Sequence, residues 1–239
     1  KERPILKQVG FSARKGDFVA IVGESGCGKS TLASIFTGKK RNYQGEVLLG
    51  GAQGVPLAEI SEESLLEQIT YVGHAGYLFK GTVRENLLLA KPDGTDEEFW
   101  QVLEQMKLAD FLRSEQGLDT MLAEKGSNFS GGQCQRLVMA RALLHDSPVY
   151  IFDEATSNID AESENDIMEQ IYQMKGKKTV LLISHRLANV TAADKIYVME
   201  QGKIAEQGNH EALIAQNGSY AKLWNTQQEL EDYRKEKAS

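Results

Sequence analysis

Hydrophobic positions along the chain alternate between two spacings. Asp17-Phe18-Val19-Ala20-Ile21-Val22 is a short apolar run ending in a cluster of glycines, the pattern of a buried strand. Beyond Gly28 the spacing changes. Ser30, Thr31, Leu32, Ala33, Ile35 and Phe36 suit a helix, and Gly38 with Lys39-Lys40 suits its end. Residues 46–49 and 69–72 read as further strands, whereas 81–145 is mostly helical in character. Within that stretch Thr95 stands as an N-cap with Glu98 reaching back. Phe99, Val102, Leu103 and Met106 then recur at helical spacing. Residues 132–144 predict a second helix, with Leu137, Ala140 and Leu144 on one face. The apolar run 149–152 predicts a strand, 161–174 a helix, and 179–184 and 195–200 two more strands. Residues 200–207 read as a hairpin turning at Gln201-Gly202. The last stretch, 209–234, reads as one increasingly charged helix, with 229–237 a frayed, solvated end.

Strands alternating with helices imply an α/β fold with a parallel sheet and right-handed crossovers. The block between Val72 and Val149 is too long for one crossover and predicts an inserted helical subdomain. The expected division is a core from 1–73 and 148–239, with the helical subdomain at 74–147. Composition narrows the class. The chain has 239 residues, 41% hydrophobic and 26% charged, which is ordinary globular usage. The longest apolar runs, such as Val180-Leu181-Leu182-Ile183, are far short of the roughly 20 residues of a membrane span. A net charge of −7 argues against nucleic acid as a partner, since such binders carry a basic surplus. Cys27 and Cys134 cannot form a disulfide framework, which predicts a reduced, cytosolic setting. No signal peptide is expected. A chain beginning at Lys1 rather than Met is expected to be a fragment of a longer polypeptide.

Three short motifs carry chemistry. Gly23-Glu24-Ser25-Gly26-Cys27-Gly28-Lys29-Ser30 fits G-x-x-x-x-G-K-[ST], the phosphate loop. Glycines keep bulky side chains from blocking backbone N–H groups that wrap phosphate oxygens. The following helix adds its positive end. Lys29 is placed to reach the β- and γ-phosphates, and the Ser30 hydroxyl to bind Mg²⁺. Second, the strand at 149–152 runs into Asp153-Glu154, at the end where open α/β sheets place ligands. Asp153 suits the Mg²⁺ shell, and Glu154 suits a general base that polarises water. A strand followed by a plain N-cap is the competing explanation. Third, Ser130-Gly131-Gly132-Gln133 opens a helix, whose free N–H groups make a second anion site. Taken alone, this motif reads better as a simple N-cap.

Together these motifs resemble the nucleotide-binding domain of ABC transporters over nearly the whole chain. Gly23 to Thr31 resembles Walker A, and Tyr150 to Glu154 resembles Walker B. Phe129 to Gln133 resembles the family signature, with Phe129 where Leu is usual. Ser157-Asn158-Ile159-Asp160 resembles the D-loop, and His185 the switch histidine. Phe79 to Asn86, Glu124-Lys125-Gly126, and Gly208 through Tyr220 resemble the exporter branch. The resemblance implies a P-loop NTPase (RecA-like) core with a parallel central sheet, antiparallel β elements and an inserted α-helical subdomain. It implies an Mg-dependent ATPase in which two such domains pair head to tail around two ATP. Each ATP would lie between Walker A of one subunit and Ser130, Gly131, Gly132 and Gln133 of the other. Glu154 would activate water, and His185 would bridge the γ-phosphate and the partner's D-loop, including Ser157 and Asp160. The implied partners are a second ABC ATPase domain and a transmembrane permease domain on the same polypeptide, at the cytoplasmic face of the membrane.

Some positions depart from the family. Where its Q-loop has Gln, this chain has His74. Imidazole nitrogen suits Mg²⁺ less well than a carbonyl oxygen, so a tolerated swap and a slowed, degenerate site both remain open. The family's adenine-stacking aromatic would fall before Lys1, which implies weakened nucleotide affinity. Cys134 stands where a basic residue is common, and Cys27 near a positive helix end is either small core or a reactive thiol. Tyr77, Leu78 and Phe79 are either local packing or an exposed interface. His145 and His210 read as surface residues, and Trp100 and Trp224 as core. A DNA-repair or translation ATPase would carry insertions or tandem cassettes, and a small-molecule kinase would not need Ser-Gly-Gly-Gln or the switch histidine.

Overall fold

The computed structural model describes residues 4–238 except 52 and 75, with side chains described through Tyr233. The elements are β1 (Phe18–Gly23), α1 (Lys29–Phe36), β2 (Leu48–Leu49), β3 (Val55–Pro56), α2 (Glu62–Gln68), β4 (Ile69–Gly73), β5 (Gly81–Thr82), α3 (Val83–Leu88), α4 (Asp96–Gln105), α5 (Ala109–Ser114), β6 (Met121–Leu122), α6 (Gly131–His145), β7 (Val149–Asp153), α7 (Ala161–Gln173), β8 (Thr179–Ile183), β9 (Lys195–Glu200), β10 (Lys203–Gly208), α8 (His210–Gln216) and α9 (Ser219–Ala238). They form two compact units. Lys1–Ile69 with Lys175–Ser239 is the first, and Thr70–Met174 the second. The predicted helical block 74–147 falls wholly inside the second unit, which also takes in β7 and α7.

In the first unit β1 lies between β8 and β9, parallel to both, and β10 returns antiparallel along β9. Phe18 to Val22 are all 0% exposed. A strand covered on both faces needs an unbroken apolar run rather than alternation, and 18–22 supplies one. The predicted hairpin forms at the expected turn. Gln201 and Gly202 both have positive φ, 46° and 83°, as a two-residue turn of right-handed twist requires. A side chain at 202 is excluded because its Cβ would lie 1.9 Å from the Ile5 carbonyl oxygen. The strand predicted at 46–49 shortens to Leu48–Leu49, paired with β3.

The single helix expected over 209–234 is two. Asn217 takes a left-handed φ of 52° and ends α8, and α9 restarts at Ser219. The Glu206 carboxylate accepts from the Ser219 and Tyr220 amides at 2.6 and 3.0 Å. A carboxylate there satisfies two orphan N–H groups and opposes the helix dipole, so the restart is stabilised from β10. The expected frayed end is helical to Ala238. His210 is not a bare surface residue: its Nδ1 lies 2.8 Å from the Tyr220 hydroxyl, and its ring packs edge-on against Trp224. Burial raises the Tyr220 hydroxyl to about 12.

In the second unit, β7 neighbours β4. Phe99, Leu103 and Met106 of the α4 region and Leu137 and Ala140 of α6 are all 0% exposed, so the predicted faces are the ones buried. Each large side chain contributes about 1.5–3 kcal/mol of burial. Leu144 and Trp100 are only partly covered, and the same is true of Trp224 in the first unit. Reciprocal capping boxes open α3 (Thr82 with Glu85), α4 (Thr95 with Glu98) and α6 (Ser130 with Gln133). Buried Asp166 of α7 pairs with Lys107 and with Arg136 of α6.

Candidate functional site

The first unit holds the phosphate loop at the carboxyl end of β1. Gly23, Gly26 and Gly28 have φ of 144°, 80° and 114°, a run of conformations closed to most side chains. Gly28 is the N-cap of α1 and supplies no side-chain cap. The amides of Lys29, Ser30 and Thr31 therefore begin the helix without an intrahelical acceptor. Glu24, Ser25, Gly26 and Ser30 are exposed, while Cys27, Gly28 and Lys29 are buried. The Lys29 ammonium spans the loop, donating to the Gly23 and Glu24 carbonyls at 2.7 and 3.0 Å. Cys27 Sγ lies 3.9 Å from that ammonium. At 7% exposure, Cys27 behaves as small core. Ile5 and Leu6 cover the loop, and a Cβ on Gly28 would lie 2.8 Å from Leu6 Cδ2. Ile5 itself is 52% exposed, an apolar side chain beside the loop that no sequence pattern marked.

His185 follows β8 in the same unit and is exposed. Buried Ser184 fixes the turn beneath it, with its hydroxyl accepting from the Arg186 amide at 3.0 Å and donating to the Arg186 carbonyl at 3.2 Å.

The second unit holds the carboxylates. Asp153 ends β7 and is 6% exposed. The Tyr71 hydroxyl donates to its Oδ2 at 3.1 Å. Burial first, then the Asp153 charge, raises Tyr71 to about 12, so it remains a donor through the neutral range. Glu154 has a left-handed φ of 55°. A non-glycine residue in that region is strained and persists only where its surroundings hold it. Ser157 holds it here: its amide and its hydroxyl both donate to the Glu154 carbonyl, at 3.0 and 2.8 Å. Asn158 is left-handed as well, φ 61°.

The segments at 130–133 and 157–160 meet within this unit. Asp160 is the N-cap of α7, accepting from the Ser163 amide and hydroxyl at 2.8 and 2.7 Å. Those two bonds, the amide first, hold the Asp160 carboxyl below its ordinary range. A Cβ on Gly132 would lie 2.1 Å from Ser163 Oγ and 2.5 Å from Asp160 Oδ2. Glycine at 132 is thus a packing requirement. Ser130 is exposed, accepting from the Gln133 amide at 3.1 Å while Gln133 Oε1 accepts from the Ser130 amide at 2.8 Å.

His74 is exposed just past β4. The chain on both sides of it is tied to α6 by residues that carry no motif. Buried Gln135 donates to the Gly73 carbonyl at 3.1 Å, and Arg141 to the Tyr77 carbonyl at 2.8 Å. Between them Gly76 packs so closely on Val138 that a Cβ would lie 2.5 Å away. Gln135, Val138 and Arg141 share one helix face, the only signal that could have marked them. Tyr77 and Phe79 are 48% and 49% exposed and stack edge to face, whereas Leu78 is buried. Cys134 donates to the Gly126 carbonyl at 3.3 Å, and burial raises its thiol, which keeps it protonated at neutral pH.

Residues 6–157, which include the loop at 23–30 and the strand-end carboxylates, match a family model described as ABC transporter. The chain belongs to the ABC transporter family. It is 47% identical over 234 residues to an uncharacterised ABC transporter ATP-binding protein of Haemophilus influenzae, covering 98% of this chain and 41% of that protein. It is 40% identical over 215 residues to the glutathione/L-cysteine transport system ATP-binding/permease protein CydC of Escherichia coli, covering 90% and 37%. Among solved structures, a bacterial Atm1-family ABC exporter with ATP bound superposes with a TM-score of 0.87 at 34% identity, covering 94% of this chain and 39% of that one. The chain thus spans about two-fifths of the length of the relatives it matches. It is an ABC ATP-binding domain of exporter type with the P-loop NTPase fold, in a family of ATPases coupled to transport. Among the described residues no helix is long and apolar enough to cross a membrane.

Proposed function

We propose that this ABC domain binds Mg-ATP and hydrolyses it in a head-to-tail dimer, powering export through a transmembrane permease domain. The observation that carries the hydrolytic reading is Glu154. It is a carboxylate directly after β7, in a left-handed conformation that Ser157 holds from both its amide and its hydroxyl. Such an arrangement suits a general base for water.

The nucleotide site fits its ligand by donor chemistry. Gly23, Glu24, Ser25, Gly26, Cys27, Gly28, Lys29, Ser30 and Thr31 form the phosphate loop. Its glycine backbone leaves N–H groups open, and a Cβ on Gly26 would meet nothing within 4 Å. Lys29 exchanges its two carbonyl contacts for phosphate oxygens. Bound Mg²⁺ would neutralise phosphate charge. Ser30 and Asp153 offer hard oxygen ligands for it, Tyr71 orients Asp153, and His74 contributes through water. His185 contacts the γ-phosphate. The exposed Ser130 hydroxyl with Gly131, Gly132 and Gln133 faces the nucleotide of a second copy, alongside Ser157 and Asp160 of the D-loop. We assign the RecA-like core to 1–73 and 148–239 and the signature subdomain to 74–147. The names of relatives such as the ATP-binding/permease protein CydC support a permease on the same polypeptide, and hence a place at the cytoplasmic face of the membrane. A second reading, a hydrolysis-impaired cassette in a heterodimeric exporter, rests on His74 at the Q-loop position.

Mg-ATP hydrolysis measured against protein concentration, with Glu154→Gln as the blank, tests the proposal. A rate rising faster than linearly and lost in the blank is expected. No turnover above the blank favours the impaired cassette.

A further inference from the structure

The loop carrying His185 is gripped by a side chain from far along the chain. Gln227 lies on α9, two turns beyond the start that Glu206 anchors. Its Nε2 donates to the His185 carbonyl at 2.6 Å, and its Oε1 accepts from the Leu187 amide at 2.9 Å. One amide side chain thus closes both backbone bonds across His185-Arg186-Leu187, as a neighbouring strand would. Leu187 is 2% exposed, so its amide has few alternatives. Ser184 fixes the other side of the same turn. The His185 side chain of this turn is exposed, and the grip acts on the backbone that carries it.

We propose that Gln227 is a positioning residue for His185. The C-terminal helix α9 is therefore part of the hydrolytic apparatus, and not merely a cover on the sheet. This rests on the assignment of His185 to the γ-phosphate. The chemistry needs both ends of the amide: a donor toward the carbonyl and an acceptor toward the N–H. A carboxylate of the same size satisfies Leu187 and opposes the His185 carbonyl.

Gln227→Ala, Gln227→Glu and the exposed neighbour Asn225→Ala are compared in the whole chain. Turnover, equilibrium binding of a fluorescent ATP analogue and amide hydrogen exchange are measured. Gln227→Ala is expected to speed exchange of the Leu187 amide at least tenfold while the amides of β9 keep their protection. Both Gln227 variants are expected to lower kcat about tenfold or more, as small misplacements of a catalytic group do, with nucleotide affinity within about twofold. Asn225→Ala leaves both unchanged. In a His185→Ala background, Gln227→Ala is expected to add nothing to the loss in kcat.

Unchanged Leu187 exchange in Gln227→Ala overturns the grip. Full turnover in Gln227→Glu overturns the need for both bonds. An equal loss of kcat with and without His185 shows that Gln227 acts elsewhere. Full turnover in His185→Ala alone, by contrast, removes the role given to His185, and with it the positioning role.

Discussion

Two helix N-termini in this ABC domain present opposite solutions to the same problem. At the start of α1, Gly28 supplies a left-handed backbone and no capping side chain. At the start of α6, Ser130 and Gln133 cap each other reciprocally. Every α-helix begins with orphan N–H groups. In α6 the protein satisfies two of them from within. In α1 it leaves them available and folds a lysine across the gap. An uncapped start suits a ligand that brings its own acceptors. A capped start with an exposed serine hydroxyl suits a surface that is complete until something docks on it.

Removing the cation from the uncapped end gives the largest expected effect. Lys29→Ala deletes charge-assisted bonds to phosphate, and nucleotide affinity is expected to fall more than 100-fold, about 3 kcal/mol. Titration with a fluorescent ATP analogue measures it, and affinity within tenfold of the parent sinks the loop assignment. Next in size is a methyl group added at each end. Gly132→Ala drives a Cβ into Ser163 Oγ and Asp160 Oδ2, with an expected overpacking cost of about 2 kcal/mol. Gly26→Ala enters open space and costs only its φ of 80°, about 1 kcal/mol. Thermal unfolding ranks the pair, and the reverse order would refute the packing of α6 on the α7 cap. Smallest is Ser130→Ala. Loss of the cap costs about 1 kcal/mol, and nucleotide affinity stays within about twofold. Turnover at high protein concentration is expected to drop well beyond what that stability loss explains. Unaltered turnover would leave Ser130 as a cap and nothing more.

Legibility followed the distance between cooperating residues. The phosphate loop, the Thr95 cap and the turn at Gln201-Gly202 are each made by residues within a few positions of one another, and each stood out in the sequence. Asp153 and Glu154 stood out because two charges end an apolar run. The grip of Gln227 on the His185 loop joins residues 42 apart, and Tyr71 reaches Asp153 across 82. Neither leaves a local pattern. The split between α8 and α9 does carry a local mark, Asn217-Gly218, since asparagine or glycine in a left-handed turn is the usual helix end, and Glu206 arriving from β10 caps the restart. His210 reads as a surface residue because its partners, Tyr220 and Trp224, belong to the helix after that break.

The attachment of α6 has a mechanical consequence. Fifteen residues of helix make a rod about 22 Å long. Along one side it is pinned to the chain at Gly73, Gly76 and Tyr77, and at its tip stands Ser130. A rod fixed at three points has no slack between them. The segment that carries Tyr77 and the helix behind Ser130 are therefore expected to move as one body.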